Sequence, residues 1–177
     1  TRLLQAFMFA DIREKKKTNG MNAVADTISA VTSGTKTFTL SAGGTGFIAN
    51  HLVKATDFGT AANNGVFTVA SSTATTVVTV EALVTEAGVP AAAALAVVGF
   101  QFPSADASIT MNGLLVRLTS AATDMTALGL IPGEWVYVGG DVVGTTFATN
   151  KGFARISSIA TTYLEFDKIT WTGAVAE

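Results

Sequence analysis

The sequence predicts a mainly β protein: β-sandwich or barrel-like sheets with an internally duplicated strand-turn-strand unit, plus an N-terminal α-helix. From residue 35 onward Thr, Val, Ile and Phe dominate, and Gly, Asn and Ser punctuate them, which is the texture of short strands joined by turns. The run "TYLEFDKI" alternates, with Tyr163, Glu165 and Asp167 on one face and Leu164, Phe166 and Lys168 on the other. A third observation is that "NNGVFTVASSTATTVVTV" in the first half returns in altered form in the second.

The elements follow in order. Residues 2–16 read as the helix, because Leu3, Phe7 and Ala10 share a stripe that Leu4 and Met8 flank. Lys15, Lys16 and Lys17 fall in the last turn, where cations suit the helix dipole, and Asn19-Gly20 supplies a stop. The helix starts almost at residue 1 without a cap, which fits a segment of a longer polypeptide. Val24, Ile28 and Val31 have the spacing of a second short helix. Strands are expected over 35–40, 47–56, 65–71, 75–82, 94–101, 114–119, 135–139, 152–158 and 162–168. The chain thus divides into a helical segment over 1–34, a first β module over 35–102 and a second, related module over 103–177.

In the repeat, Asn63 falls on Asn150, Gly65 on Gly152, Val69 on Ile156 and Ser71 on Ser158. With a one-residue gap, Ala74-Thr75-Thr76 falls on Ala160-Thr161-Thr162 and Val80 on Phe166. Upstream, Ile48, Val53 and Ala55 fall on Ile131, Val136 and Val138. A duplication of about 85 residues accounts for all of these. Gly65 and Gly152 accept positive φ, and Asn63 and Asn150 can bond their own backbone, so these four residues read as structural turns rather than ligands.

Composition excludes several kinds of chemistry. Charged residues are only 14% of the chain and the net charge is -2, which gives no electrostatic reason to bind nucleic acid or anionic lipid specifically. Apolar residues reach 49%, which fits a surface partly covered by neighbouring subunits. There is no cysteine, hence no disulfide framework or thiolate nucleophile. His51 is the sole histidine, and a surface or strand-end position is its expected place, so no His-based triad or metal site is predicted. Glu165 and Asp167 share a face but lack the aromatic platforms of a glycosidase. "GGTGF" lacks dinucleotide-loop spacing and reads as a turn. Trp135 and Trp171 read as core or subunit-contact residues. The longest apolar run after the first helix, Val89 to Phe100, is too short to span a bilayer as a helix. No enzyme, metal or cofactor is expected.

The stretch "GEWVYVGGDV…F…NKGFARISSIATTYLEFDK" resembles the major tail tube proteins of long, non-contractile-tailed (siphovirus-type) bacteriophages. Gly133, Glu134, Trp135, Tyr137, Gly139 and Gly140 carry the first part of that pattern. Asn150, Gly152, Phe153, Arg155, Leu164, Phe166, Asp167 and Lys168 carry the rest, and "LVKATDFGTAANNGVFTVAS" is similar to the sister repeat. The likeness covers about residues 47–170 and rests on strand and turn patterns. It implies a virion structural subunit, made in the host bacterial cytoplasm and placed in the tail. Its rings would be hexameric, or trimeric and pseudo-hexameric, and would stack into the conduit for DNA ejection. The implied partners are further copies of the chain, other phage tail proteins and DNA in transit without specific binding, with no membrane. Trp135, Tyr137, Phe153, Phe166 and Trp171 are then subunit-contact or core residues. The alternative is a β-sandwich decoration module of a phage particle that touches host-surface glycans.

Overall fold

The computed structural model describes residues 24–44, 46–103, 106–139, 147 and 149–171. The expected helix over 2–16 lies outside the described residues. The chain divides into two compact units between Gln101 and Phe102.

The first unit holds β1 (Ala25–Thr32), β2 (Thr37–Leu40), β3 (His51–Thr56), β4 (Gly65–Ser72), β5 (Thr76–Thr79) and β6 (Ala94–Phe100). They close into an antiparallel barrel in the order β1-β2-β5-β4-β3-β6, so each strand has two neighbours and no edge is left. The barrel is filled by alternate residues. Phe38 is fully buried between Phe58 and Phe67, with ring centroids 5.3 and 5.6 Å away, and Val53, Val69, Leu95 and Val97 are also fully buried.

β1 overturns the short helix expected at Val24, Ile28 and Val31. Ile28 and Val31 are both buried although an odd spacing should send them to opposite faces of a regular strand. The register against β2 shifts between Ile28 and Ala30, and this bulge returns both side chains to the interior. A bulged strand therefore writes the same three-residue spacing as a helix.

The second unit holds β7 (Ala107–Asn112), β8 (Leu115–Ser120), β9 (Trp135–Val138), β10 (Gly152–Ala160) and β11 (Tyr163–Ile169). Its sheet order is β7-β8-β11-β10-β9. That is the first unit's order through five strands, β1-β2-β5-β4-β3, with no counterpart of β6 among the described residues. β7 is not among the expected strands; half of "ASITMN" is Ser, Thr and Asn, residue types that are also common in turns.

The likeness extends to register. In β3–β4, Ala55, Lys54, Val53 and Leu52 face Gly65, Val66, Phe67 and Thr68. In β9–β10, Val138, Tyr137, Val136 and Trp135 face Gly152, Phe153, Ala154 and Arg155 in the same sequence of pairs. A bulge between Val69 and Ser71 in β4 has its counterpart between Ile156 and Ser158 in β10. Beyond it, Thr79, Val78 and Val77 face Val69, Ser71 and Ser72, as Phe166, Glu165 and Leu164 face Ile156, Ser158 and Ile159. Thr79 thus matches Phe166, and the two hairpins have equal length. This corrects the one-residue gap that the sequence placed here, which set Val80 on Phe166. Val80 is exposed, while Thr79 and Phe166 are each 1% exposed.

A second correction concerns "TYLEFDKI". Leu164 and Phe166 are buried, but Lys168 is exposed and does not share their side. Asp167 is bulged out between the pairs Ile156–Phe166 and Arg155–Lys168, which breaks the alternation after Phe166.

Candidate functional site

His51 and Glu134 occupy the same place in the two units, each just ahead of or opening the strand that β3 and β9 represent. The Ile48 amide donates to His51 Nδ1 at 3.3 Å, and the Ile131 amide donates to Glu134 Oε2 at 3.0 Å. In both turns the amide of the fourth residue donates back to the carbonyl of the first, at 3.2 Å. In both, the third residue has positive φ, 69° for Asn50 and 93° for Gly133, and its amide donates to Val69 or Ile156 at 2.7 Å. His51 is therefore a buried turn residue, at 1% exposure, which corrects the surface expectation and keeps its strand-end place. Its Nδ1 is an acceptor, so the neutral ring carries its proton on Nε2, which is buried and has no hydrogen-bond partner. Burial lowers the His51 pKa from 6.5 to about 4, so the ring is neutral at pH 7. One ring nitrogen is thus occupied by the Ile48 amide and the other is enclosed in the first unit.

The first Asn-x-Gly element differs from the expected self-bonded turn. Asn63 is fully buried, and its side chain reaches across to the loop after β5. Its Oδ1 accepts from the Val84 amide at 3.0 Å, and its Nδ2 donates to the Val84 carbonyl at 2.9 Å and to Glu86 Oε2 at 3.0 Å. The local role falls to Asn64, whose amide group bonds both the amide and the carbonyl of Phe58. Asn150 is likewise fully buried. Gly65 and Gly152 open β4 and β10 at φ of 148° and 150°.

The outer face of the second sheet carries the charged groups. Glu165, 9% exposed, accepts from Arg117 Nη2 at 2.6 Å, from Asn112 at 2.6 Å and from Ser158 at 2.7 Å. Arg117 also lies 4.1 Å from the centroid of the Tyr163 ring, in cation–π contact. The Arg117 bond, followed by those of Ser158 and Asn112, lowers the Glu165 pKa from 4.5 to about 2. Arg155 forms a two-pronged ion pair with Asp167. The two carboxylates that share a strand in sequence are thus each neutralised by an arginine. Neither is poised to take a proton at neutral pH. The first unit has Val78, Thr37 and Ser71 where the second has Glu165, Arg117 and Ser158, so this cluster belongs to the second unit alone.

The aromatic residues separate. Phe166 is in the core at 1% exposure, and Trp135 and Trp171 are half-buried. Tyr137 and Phe153 are exposed at 60% and 42% and face each other across β9 and β10, with centroids 5.4 Å apart and rings at 78°. Lys54 and Val66 hold that position in the first unit. Among the described residues no group of three or more His, Cys, Asp or Glu is arranged to hold a metal ion, and no helix is long and apolar enough to cross a membrane. The second unit presents an exposed aromatic pair on β9 and β10, and among the described residues no strand lies beyond β9. No protein-family model, curated protein or solved structure matches the chain.

Proposed function

We propose that the chain is a structural subunit of a phage tail tube, stacking in rings to form the conduit for DNA ejection. The observation that supports this best is the pair of edges on the second sheet. Among the described residues no strand lies beyond β7 or β9, and neither strand contains a lysine, arginine or proline to blunt it. Two different edges on one sheet suit a heterologous contact, in which each copy offers one edge to the next and the ring closes when the rotation does. The charge pattern agrees with passage of DNA. Arg117 and Arg155 are engaged by Glu165 and Asp167, so neither is free to grip a phosphate. The shared strand order and register support descent of the two units from one duplicated unit, which suits either hexameric rings or trimeric rings with two equivalent modules per chain. Sedimentation and negative-stain imaging across a range of concentrations test the reading. Rings or tubes should appear as concentration rises, and monomer alone at every concentration would overturn it.

The exposed Tyr137–Phe153 pair favours one alternative, a decoration module that stacks host-surface sugars on aromatic rings. That protein would stay monomeric and bind glycans, and Tyr137→Ala would abolish the binding.

A further inference from the structure

We propose that Asn112 is a self-modifying site, where the Gly113 amide at the tip of the β7–β8 hairpin converts the asparagine side chain to a carboxylate. The inference rests on this hairpin and is independent of whether the chain builds a tube. Two Asn-Gly pairs lie among the described residues, Asn64-Gly65 and Asn112-Gly113, and glycine leaves the following nitrogen unscreened by a β-carbon. The fold treats the pairs differently. Asn64 is clamped at both ends of its amide, with Oδ1 accepting from the Phe58 amide at 3.0 Å and Nδ2 donating to the Phe58 carbonyl at 2.9 Å. Gly65 opens β4 and pairs with Ala55 inside the ladder. Asn112 instead ends β7 opposite Leu115, and Gly113 and Leu114 form the loop outside the ladder. Gly113 has φ of 62° at the first loop position, where such turns favour glycine. A β-carbon there would meet nothing within 4 Å, and Leu114 beside it is 98% exposed. Asn112 is itself exposed. Among the described residues its side chain is held by Nδ2 donating to Glu165 Oε1 at 2.6 Å, and no bond clamps its Oδ1.

The nucleophile is thus covalently tethered beside its target, which makes the attack unimolecular. The Gly113 nitrogen loses its proton and attacks Asn112 Cγ. The new N–C bond closes a cyclic imide, the Cγ–Nδ2 bond breaks, and Nδ2 leaves with a proton as ammonia. Water then adds to either ring carbonyl and breaks that carbon's bond to the Gly113 nitrogen. Opening at Cγ gives aspartate, and opening at the main-chain carbon gives isoaspartate. Water enters, ammonia leaves, and nothing is oxidised or reduced. Either product lacks the Nδ2 donor and sets a second carboxylate against Glu165, whose Oε1 also accepts from Arg117 Nη2 at 2.6 Å. Like charges so placed loosen the hairpin tip.

The test holds the full chain in mildly alkaline buffer and follows the peptides that carry Asn64 and Asn112 by digestion and mass spectrometry. In the folded protein Asn112 should convert at least about tenfold faster than Asn64, which must wait for local opening. In denaturant the two should convert at similar rates, since glycine follows both. Asn112→Asp, which carries the product's charge, should speed exchange of the Leu115 amide. Conversion at Asn112 no faster than at Asn64 in the folded chain would overturn the proposal. So would an excess at Asn112 that persists undiminished in denaturant, because the cause would then lie in the local sequence and not in the fold. Unchanged Leu115 exchange in Asn112→Asp would overturn the effect on the hairpin.

Discussion

A β-carbon at position 152 would sit 2.5 Å from the Thr170 hydroxyl oxygen and 3.2 Å from the Trp171 ring. The hydroxyl cannot simply swing aside, because it accepts the Phe153 amide at 2.8 Å. The same atom at position 65 would meet only the edge of Phe67, at 4.0 Å. Both glycines have the positive φ that costs other residues about 1–2 kcal/mol. Gly65→Ala should therefore lose about that much stability, and Gly152→Ala about 1–3 kcal/mol more. Gly152→Val should also impair assembly, while Lys151→Val, at an exposed neighbouring position, should change neither property to a comparable extent. Thermal melts of the four variants check the order. Equal melting temperatures for Gly65→Ala and Gly152→Ala would show that the Thr170 contact is relieved at no cost.

At the scale of elements, Asn63 ties the start of β4 to the loop that carries the chain from β5 to β6. Asn63→Asp keeps the shape and the Val84 amide bond. It loses both donors and sets a carboxylate against Glu86, now bonded at 3.0 Å. A loss of about 2–4 kcal/mol is expected, read by denaturant unfolding, with Asn64→Asp as the milder control that keeps its oxygen on the Phe58 amide. The Asn-x-Gly pattern and most strands were legible in the sequence, because a positive-φ turn and a buried alternation each admit few residue types. What escaped has a physical cause in each instance. The bulge in β1 gave Ile28 and Val31 a helical spacing, and "ASITMN" carries too few apolar residues to announce β7. The letters Ala-Thr-Thr drew the two hairpin turns into false alignment, since turns tolerate any exchange of Ser, Thr and Ala. Burial at Val77 and Leu164, and at Thr79 and Phe166, fixes the true register. Nor did the sequence pair His51 with Glu134. Imidazole and carboxylate share no chemistry except an acceptor at the right reach, and that acceptor is what the turn uses.

At the scale of the molecule, acid should reach the two units in succession. His51 is neutral in the fold until about pH 4, whereas an unperturbed histidine binds its proton near 6.5. The unfolded chain thus holds more protons in that window, and the first unit loses stability as pH falls from 6.5 toward 4. Glu165 stays ionised to about pH 2 against an ordinary 4.5, so its contribution is complete above 4.5 and is lost as pH falls from there toward 2. Amide exchange followed by residue should show strands β1–β6 weakening first and β7–β11 weakening only below about pH 4.5. His51→Gln, which keeps an acceptor near the Ile48 amide without a titrating ring, should flatten the upper step and leave the lower one. A single acid transition shared by all strands, unaltered in His51→Gln, would contradict this.

The equal span from Val69 to Thr79 and from Ile156 to Phe166 has an evolutionary reading. Between these hairpins glutamate stands where valine does, phenylalanine where threonine does and an ion pair where the face is uncharged, yet the two spans are equal in length. Strands lie on both flanks of each hairpin, so one added residue would turn an entire strand inside out. The hairpins β1–β2 and β7–β8 behave otherwise, with four residues between Thr32 and Thr37 but only Gly113 and Leu114 between Asn112 and Leu115. There the strands themselves have lengthened or shortened together, and the change is absorbed at the tip. In this pair of hairpins side chains differ freely, while the number of residues between matched pairs is held constant.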